Sequence, residues 1–195
     1  MIMIINASTA VTDNDFINHL AETNLPEDEL IDNINGAFSG LKLKAVVHPL
    51  VFDKEMKPLK SMVRKFYSKK VFEKAEFTDI HQNSQNKKIY YSNVVKEGLK
   101  FFNGTDYKDI DVFKFWAYNK SFGEVHSTAM CLTCGCQMFL SDDGDSIKLA
   151  EAIKNKFNVD IQVYNREKFL KKHKEEGKTI ITSKVRKRLS HKRCN

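Results

Sequence analysis

A chain of 195 residues, 42% hydrophobic and with 14 Phe, can bury a real core, which excludes a disordered or low-complexity polymer. No run nears the ~18 apolar residues that a membrane-spanning helix needs, and the opening "MIMII" is too short for a secretory signal. The net charge of +7 is uneven: residues 166–195 hold twelve Lys/Arg against three Glu, and the preceding 165 hold twenty against twenty-two Asp/Glu. These features predict a soluble, cytoplasmic, non-membrane protein, with one domain over residues 1–177 and a basic C-terminal tail over 178–195. Charge of that density attracts phosphate backbones, and it equally suits a solvated helix and tail.

"MIMIIN" reads as a buried first strand, and "DNDFINHLAE" as a helix capped by Asp13 or Asp15. "PEDELIDNINGAF" opens with Pro26 and acidic residues, a good helix start. Ala45–Val47 is a short β-branched strand. After Pro49 a helix is expected with Val51, Met56, Leu59, Met62, Val63 and Phe66 on one face. "NKKIYYSNVVKEGLKFF" has helical spacing, whereas "TDYKDIDVFKFWAYN" gives no clear pattern. "GEVHSTAMCLTCG" reads as a small-residue helix ended by Gly135. "QMFLS" is a strand, "DSIKLAEAIKNKF" a helix, "VDIQVYN" a strand and "REKFLKKHKEEG" a helix. Strands alternating with helices, without tight hairpins, predict a three-layer α/β/α fold with a mainly parallel central sheet.

Cys131, Cys134 and Cys136 are crowded, but a structural zinc site wants four ligands, usually as two separated pairs. Free thiols in a reducing cytosol fit better. His48, His81 and His126 lack a neighbouring Ser or Cys in any nucleophilic arrangement. Trp116, with Phe113, Phe115 and Tyr118, reads as core.

The most unusual stretch is "SDDGD", with three carboxylates in four residues behind a strand. Like charges so close raise one another's pKa, which is tolerated where a cation sits, where a proton is handled, or where the turn is solvated. Active crevices of parallel sheets lie beyond the carboxyl ends of the strands. Asp142, Asp143 and Asp145 fall at that edge. Glu55 comes soon after "AVV", Glu124 starts the helix leading into "MFLS", and Asp13 and Asp15 follow the expected first strand. Helix capping explains any one of them, but capping needs one carboxylate where "DDGD" supplies three. The spacing does not fit an EF-hand.

"GEVHSTAMCLTCGCQMFLSDDGDSIKLAE" resembles the C-terminal half of a PIN domain, and "AVVHPLVFDKEM" is similar to that family's second block. The match is best over residues 120–165, and residues 44–66 come next. The resemblance implies an α/β nuclease that cleaves single-stranded RNA with Mg²⁺ or Mn²⁺. Glu55 would stand at the second acidic position, Glu124 at the third and Asp143 at the last, with Asp142 and Asp145 flanking. The family's first strand ends in Asp, where this chain offers Asn6. Either Asp13 or Asp15 replaces it, or the chain is an inactive PIN-fold module that binds nucleic acid or protein. Lys120 could reach a phosphate at the rim, and Lys184, Arg186, Lys187 and Arg188 could track an RNA backbone. By the same resemblance, partners would include an antitoxin-like protein and a second copy of the chain in a homodimer.

Overall fold

A computed structural model of the chain describes residues 3–22, 26–104, 107–116, 121–136, 138–159 and 161–175. Five short strands form the sheet: β1 (Thr9–Thr12), β2 (Lys44–Val47), β3 (Glu73–Lys74), β4 (Met138–Leu140) and β5 (Gln162–Tyr164). The central three, β1, β2 and β4, are mostly apolar or β-branched and suit a sheet buried on both faces, whereas the edge strand β3 is charged and half-buried. They pair in the order β3-β2-β1-β4-β5, and every pairing is parallel. Along the strands, side chains alternate between two cores. Ala10, Ala45, Val47, Met138 and Leu140 face one core, and Val11, Val46, Phe139 and Val163 face the other.

The first core is closed by α1 (Asn14–Ala21), α2 (Glu27–Gly40), α3 (Ser61–Ser68) and α8 (Arg166–Glu175). Phe16, Phe38 and Phe169 meet there, with Phe169 centred 5.8 Å from Phe16 and 5.1 Å from Phe38. The second lies under α4 (Phe77–His81), α5 (Gln85–Asn103), α6 (Phe122–Cys134) and α7 (Gly144–Phe157). The fold is therefore the expected three-layer α/β/α arrangement around a parallel sheet. Among the described residues no helix is long and apolar enough to cross a membrane.

Local chemistry sets the boundaries. α5 starts at Ser84, whose hydroxyl accepts from Lys87 N, and ends at Gly104 in the left-handed region (φ 63°). α6 ends the same way at Gly135 (φ 66°), and Cys136 N–H closes back onto Cys131 O at 2.9 Å. That closure is the usual glycine C-terminal motif, and it leaves Cys131 and Cys136 buried as free thiols.

Two expectations fail. "MIMIIN" is not the first strand. Ile5 is buried, but Met3 N–H donates to Asp79 Oδ1 (2.7 Å), and Asn6 sits in a turn whose Oδ1 accepts from Ser8 N (2.9 Å). The strand is "TAVT", whose small residues fit between two neighbours. The helix expected from Val51 to Phe66 is split into a π-helical turn (Val51–Met56) and α3. Pro58 forces Lys57 out of helical geometry, and Lys57 is extended (ψ 139°). β3 and α4 lie between the expected elements, in a stretch where none is expected from the sequence; β3 has only two residues, and α4 spans little more than one turn.

Gly98 marks the tightest helix crossing: a Cβ there would lie 2.9 Å from Val125 Cγ1 and 3.3 Å from Ile153 Cδ1. A β-branched neighbour cannot swing aside. Gly98→Ala should therefore lose about 1 kcal/mol net, overpacking outweighing the better helix propensity. In a Val125→Ala background the same change should cost nothing, and additive denaturation midpoints would contradict this crossing.

Candidate active site

The strand registers level the ends of the sheet. Thr12 pairs with both Val47 and Leu140, Val47 with Lys74, and Leu140 with Tyr164. The next residues, Ala75, His48, Asp13, Ser141 and Asn165, therefore line one carboxyl edge. Chain direction across the sheet reverses between β1 and β4, the place where parallel sheets open a crevice. Asp13 and Ser141 sit at that point, so the acid ending the first strand is Asp13 and not Asn6.

Asp13 is 5% exposed. Its Oδ1 accepts from Phe16 N (2.8 Å) as the cap of α1, and it is also hydrogen-bonded by the Ser141 side chain. Burial pushes its carboxyl well above the usual range; the two hydrogen bonds oppose this, and Asp15 and Glu124 add to it. Ser141 is fully buried, and its Oγ also accepts from Asp143 N (3.1 Å). One hydroxyl thus couples the end of β1 to the acid after β4. Asp143 in turn caps α7, accepting from Asp145 N at 2.7 Å.

Glu55 comes from the π-helical turn and meets the start of α6. Ser121, the residue before α6, is left-handed (φ 83°) and makes no side-chain cap. The Gly123 N–H is instead taken by the Glu55 carboxylate. The approach is so close that a Cβ on Gly123 would overlap Glu55 Oε1 and lie 2.8 Å from its Cδ. Burial, then Glu124 and Asp15, push the Glu55 carboxyl up to about 7, against the Gly123 hydrogen bond. The residue as a whole stays open to solvent, so water screens part of this effect; the neighbouring carboxylates fix its direction. Glu124 is raised by burial and by Asp143, Asp15 and Asp145.

Asp13, Asp15, Glu55, Glu124, Asp143 and Asp145 are thus near enough to perturb one another. Asp142 is not part of this group. It turns to the other side, where Oδ1 accepts from Arg166 N (2.9 Å) and the carboxylate pairs with the Arg166 guanidinium and with His19 Nδ1 (3.0 Å). Asp145 is exposed and pairs with Lys148 (3.1 Å). Lys120, Tyr118, Cys194, the tail over 178–195 and its Lys184, Arg186, Lys187 and Arg188 lie outside the described residues.

The donor chemistry suits a hard divalent cation, which prefers carboxylate oxygens. As placed, the side chains do not close around one: among the described residues no three His, Cys, Asp or Glu form a group able to hold a metal ion. Asp13, Glu55 and Asp143 each accept a backbone N–H instead.

Sequence reasoning missed a buried chain that ties the carriers of Glu55 and Glu124 together. Leu50 N–H donates to His48 Nδ1 (3.1 Å), so the His48 proton is on Nε2 and goes to Tyr91 Oη (2.7 Å). The Tyr91 hydroxyl then donates to His126 Nδ1 (2.6 Å). Burial holds His48 well below its ordinary pKa and lowers His126 to about 3, so both stay neutral. Their stability contribution is present above the unfolded value of 6.5 and is lost as pH falls. The spacing of His48, Tyr91 and His126 carries no local signal, since they lie on three separate elements.

No protein-family model, curated protein or solved structure matches the chain.

The Glu55 carboxyl is raised from an ordinary 4.5 to about 7, so its contribution is fully present below 4.5 and is lost as pH rises through 7. In chelator, Glu55→Gln should leave the melting temperature unchanged near about pH 5 and raise it increasingly toward about pH 8. A difference independent of pH would show that Glu55 does not sit among carboxylates.

Proposed function

We propose that this chain is a PIN-like, Mg²⁺- or Mn²⁺-dependent endoribonuclease that hydrolyses single-stranded RNA at the acidic rim. The observation that carries this reading is the approach of acids from four separate segments, Asp13 with Asp15, Glu55, Glu124 and Asp143, to one end of the sheet, near enough to Glu124 or Asp15 that the Asp13, Glu55 and Glu124 carboxyls are raised. Asp13, Glu124 and Asp143 would hold the ion, with Asp15 and Asp145 at its margin. A bound divalent ion lowers the pKa of water and neutralises charge on a phosphodiester.

The chain's own groups would do the rest. Ser141 keeps Asp13 and Asp143 in fixed relation, and the α1 and α7 N-termini hold their inner oxygens. Glu55 would take the proton of the attacking water at its carboxylate, a role suited to a group titrating near neutrality. We place the protein in the cytosol, where Cys131, Cys134 and Cys136 would remain free thiols. An antitoxin-like protein and a second copy of the chain are proposed as partners by analogy with the family alone.

A second reading is favoured by one observation: Asp13, Glu55 and Asp143 are already satisfied by backbone N–H groups. On that reading the chain is a PIN-like binding module, and the acids serve to cap helices.

Cleavage of a labelled single-stranded RNA separates the two. With Mn²⁺ or Mg²⁺ the full chain should cleave, chelator should abolish cutting, and Asp13→Asn and Asp143→Asn should each cost at least a hundredfold in rate, about 3 kcal/mol. The ions should also raise the melting temperature of the wild type, and less that of Asp143→Asn. Asp142→Asn should instead cost about 3 kcal/mol of stability by stranding Arg166. Absence of cleavage and of any ion-dependent thermal shift would leave the binding module.

A further inference from the structure

Residues 54–74 carry eight Lys/Arg against only Glu55 and Glu73, although the first 165 residues together are slightly acidic. The concentration lies next to the acidic rim. Lys74 pairs in register with Val47 at the carboxyl edge, and the π-helical turn that supplies Glu55 also supplies Lys54 and Phe52. Lys57 and Lys74 both bond to Asp53 at 2.9 Å, and their ammonium groups lie 5.3 and 5.7 Å from the centre of the Phe52 ring. Lys65 pairs with Glu27. Among the described residues, no carboxylate engages Lys54, Lys60, Arg64, Lys69 or Lys70, all of them exposed.

The spacing is as informative as the charge. Val63 and Phe66 turn α3 into the core, which leaves Lys60, Arg64 and Tyr67 in sequence along its outer side at intervals of four and three. One such interval advances about 6 Å along the axis, a step that an extended nucleotide chain can match. Tyr67 is 40% exposed, yet its ring is held from behind by Phe52 (centroids 4.8 Å apart) and Phe72 (5.8 Å). A half-open ring backed by two others is a poor way to solvate a surface and a good platform for a flat partner. Flanking cations without counterions call for phosphate.

We propose that the outer face of α3 and the adjoining π-helical turn form the track for a single-stranded RNA. Lys60 and Arg64 take phosphates, and a base stacks on Tyr67. The strand then runs past Lys54 to the acids. Only this last step rests on the nuclease reading above. An unpaired strand is required because a duplex hides the base faces that an aromatic platform uses.

The test is binding in chelator, where chemistry is silent, with the full chain and a labelled single-stranded RNA. Lys60→Glu/Arg64→Glu should weaken binding at least tenfold and flatten the salt dependence by about 1.4 or more, two phosphate contacts being lost. Tyr67→Ala should weaken it about tenfold at an unchanged salt slope, as loss of stacking does. An oligonucleotide carrying 4-thiouridine should crosslink to Tyr67. The track is wrong if both variants bind like the wild type with crosslinks only in 178–195. It is also wrong if duplex RNA, an acidic peptide or anionic vesicles displace the probe as well as unlabelled single strand does. Crosslinking at Tyr67 in a protein that cleaves nothing with any ion would sink the nuclease reading and leave the track standing. Cleavage untouched by both variants would do the reverse.

Discussion

The structure depends on how mutually repelling carboxylates are held at one edge of the sheet. Three of them end on the N-termini of helices. Asp13 accepts from Phe16 N–H on α1, Glu55 from Gly123 N–H on α6, and Asp143 from Asp145 N–H on α7. Each helix start presents partial positive charge and unpaired N–H groups, so three dipoles converge where the acids do. Even so, burial and mutual repulsion leave Asp13, Glu55 and Glu124 with raised pKa values. The dipoles reduce the repulsion without removing it.

That arrangement needs the sheet and the polar interior together. The shared register of Thr12, Val47 and Leu140 brings Asp13, His48 and Ser141 to one level. The chain from Leu50 through His48 and Tyr91 to His126 then anchors α6 against the segment leading to Glu55. With Gly123 lacking a Cβ, Glu55 can close on the helix start. Ser121 completes this by adopting a left-handed conformation and making no side-chain cap of its own.

The layers and the acidic rim were legible in the sequence because both rest on local signals. The helices over 14–21, 27–40, 85–103, 122–134 and 144–157 follow from apolar spacing, caps and terminal glycines, and "SDDGD" is conspicuous by charge alone. The first strand was misplaced because "MIMII" is the more apolar run, while "TAVT" gains its role only by pairing on both sides. That single error made Asn6 look like a lost acid, when Asp13 stands at the strand end. Asp142 could not be told from Asp143 without knowing that α8 brings Arg166 to it. The basic stripe over 54–74 was visible in the charges but overshadowed by the denser tail.

Most of the account turns on whether the rim attracts a divalent ion when one is offered. A crystal of the full chain soaked in Mn²⁺ and measured at the manganese absorption edge tests this directly. The account predicts an anomalous difference peak within ligating distance, about 2.2 Å, of carboxylate oxygens of Asp13 and Asp143. No peak at the rim, with Asp13, Glu55 and Asp143 still bound to their helix N-termini, would contradict it.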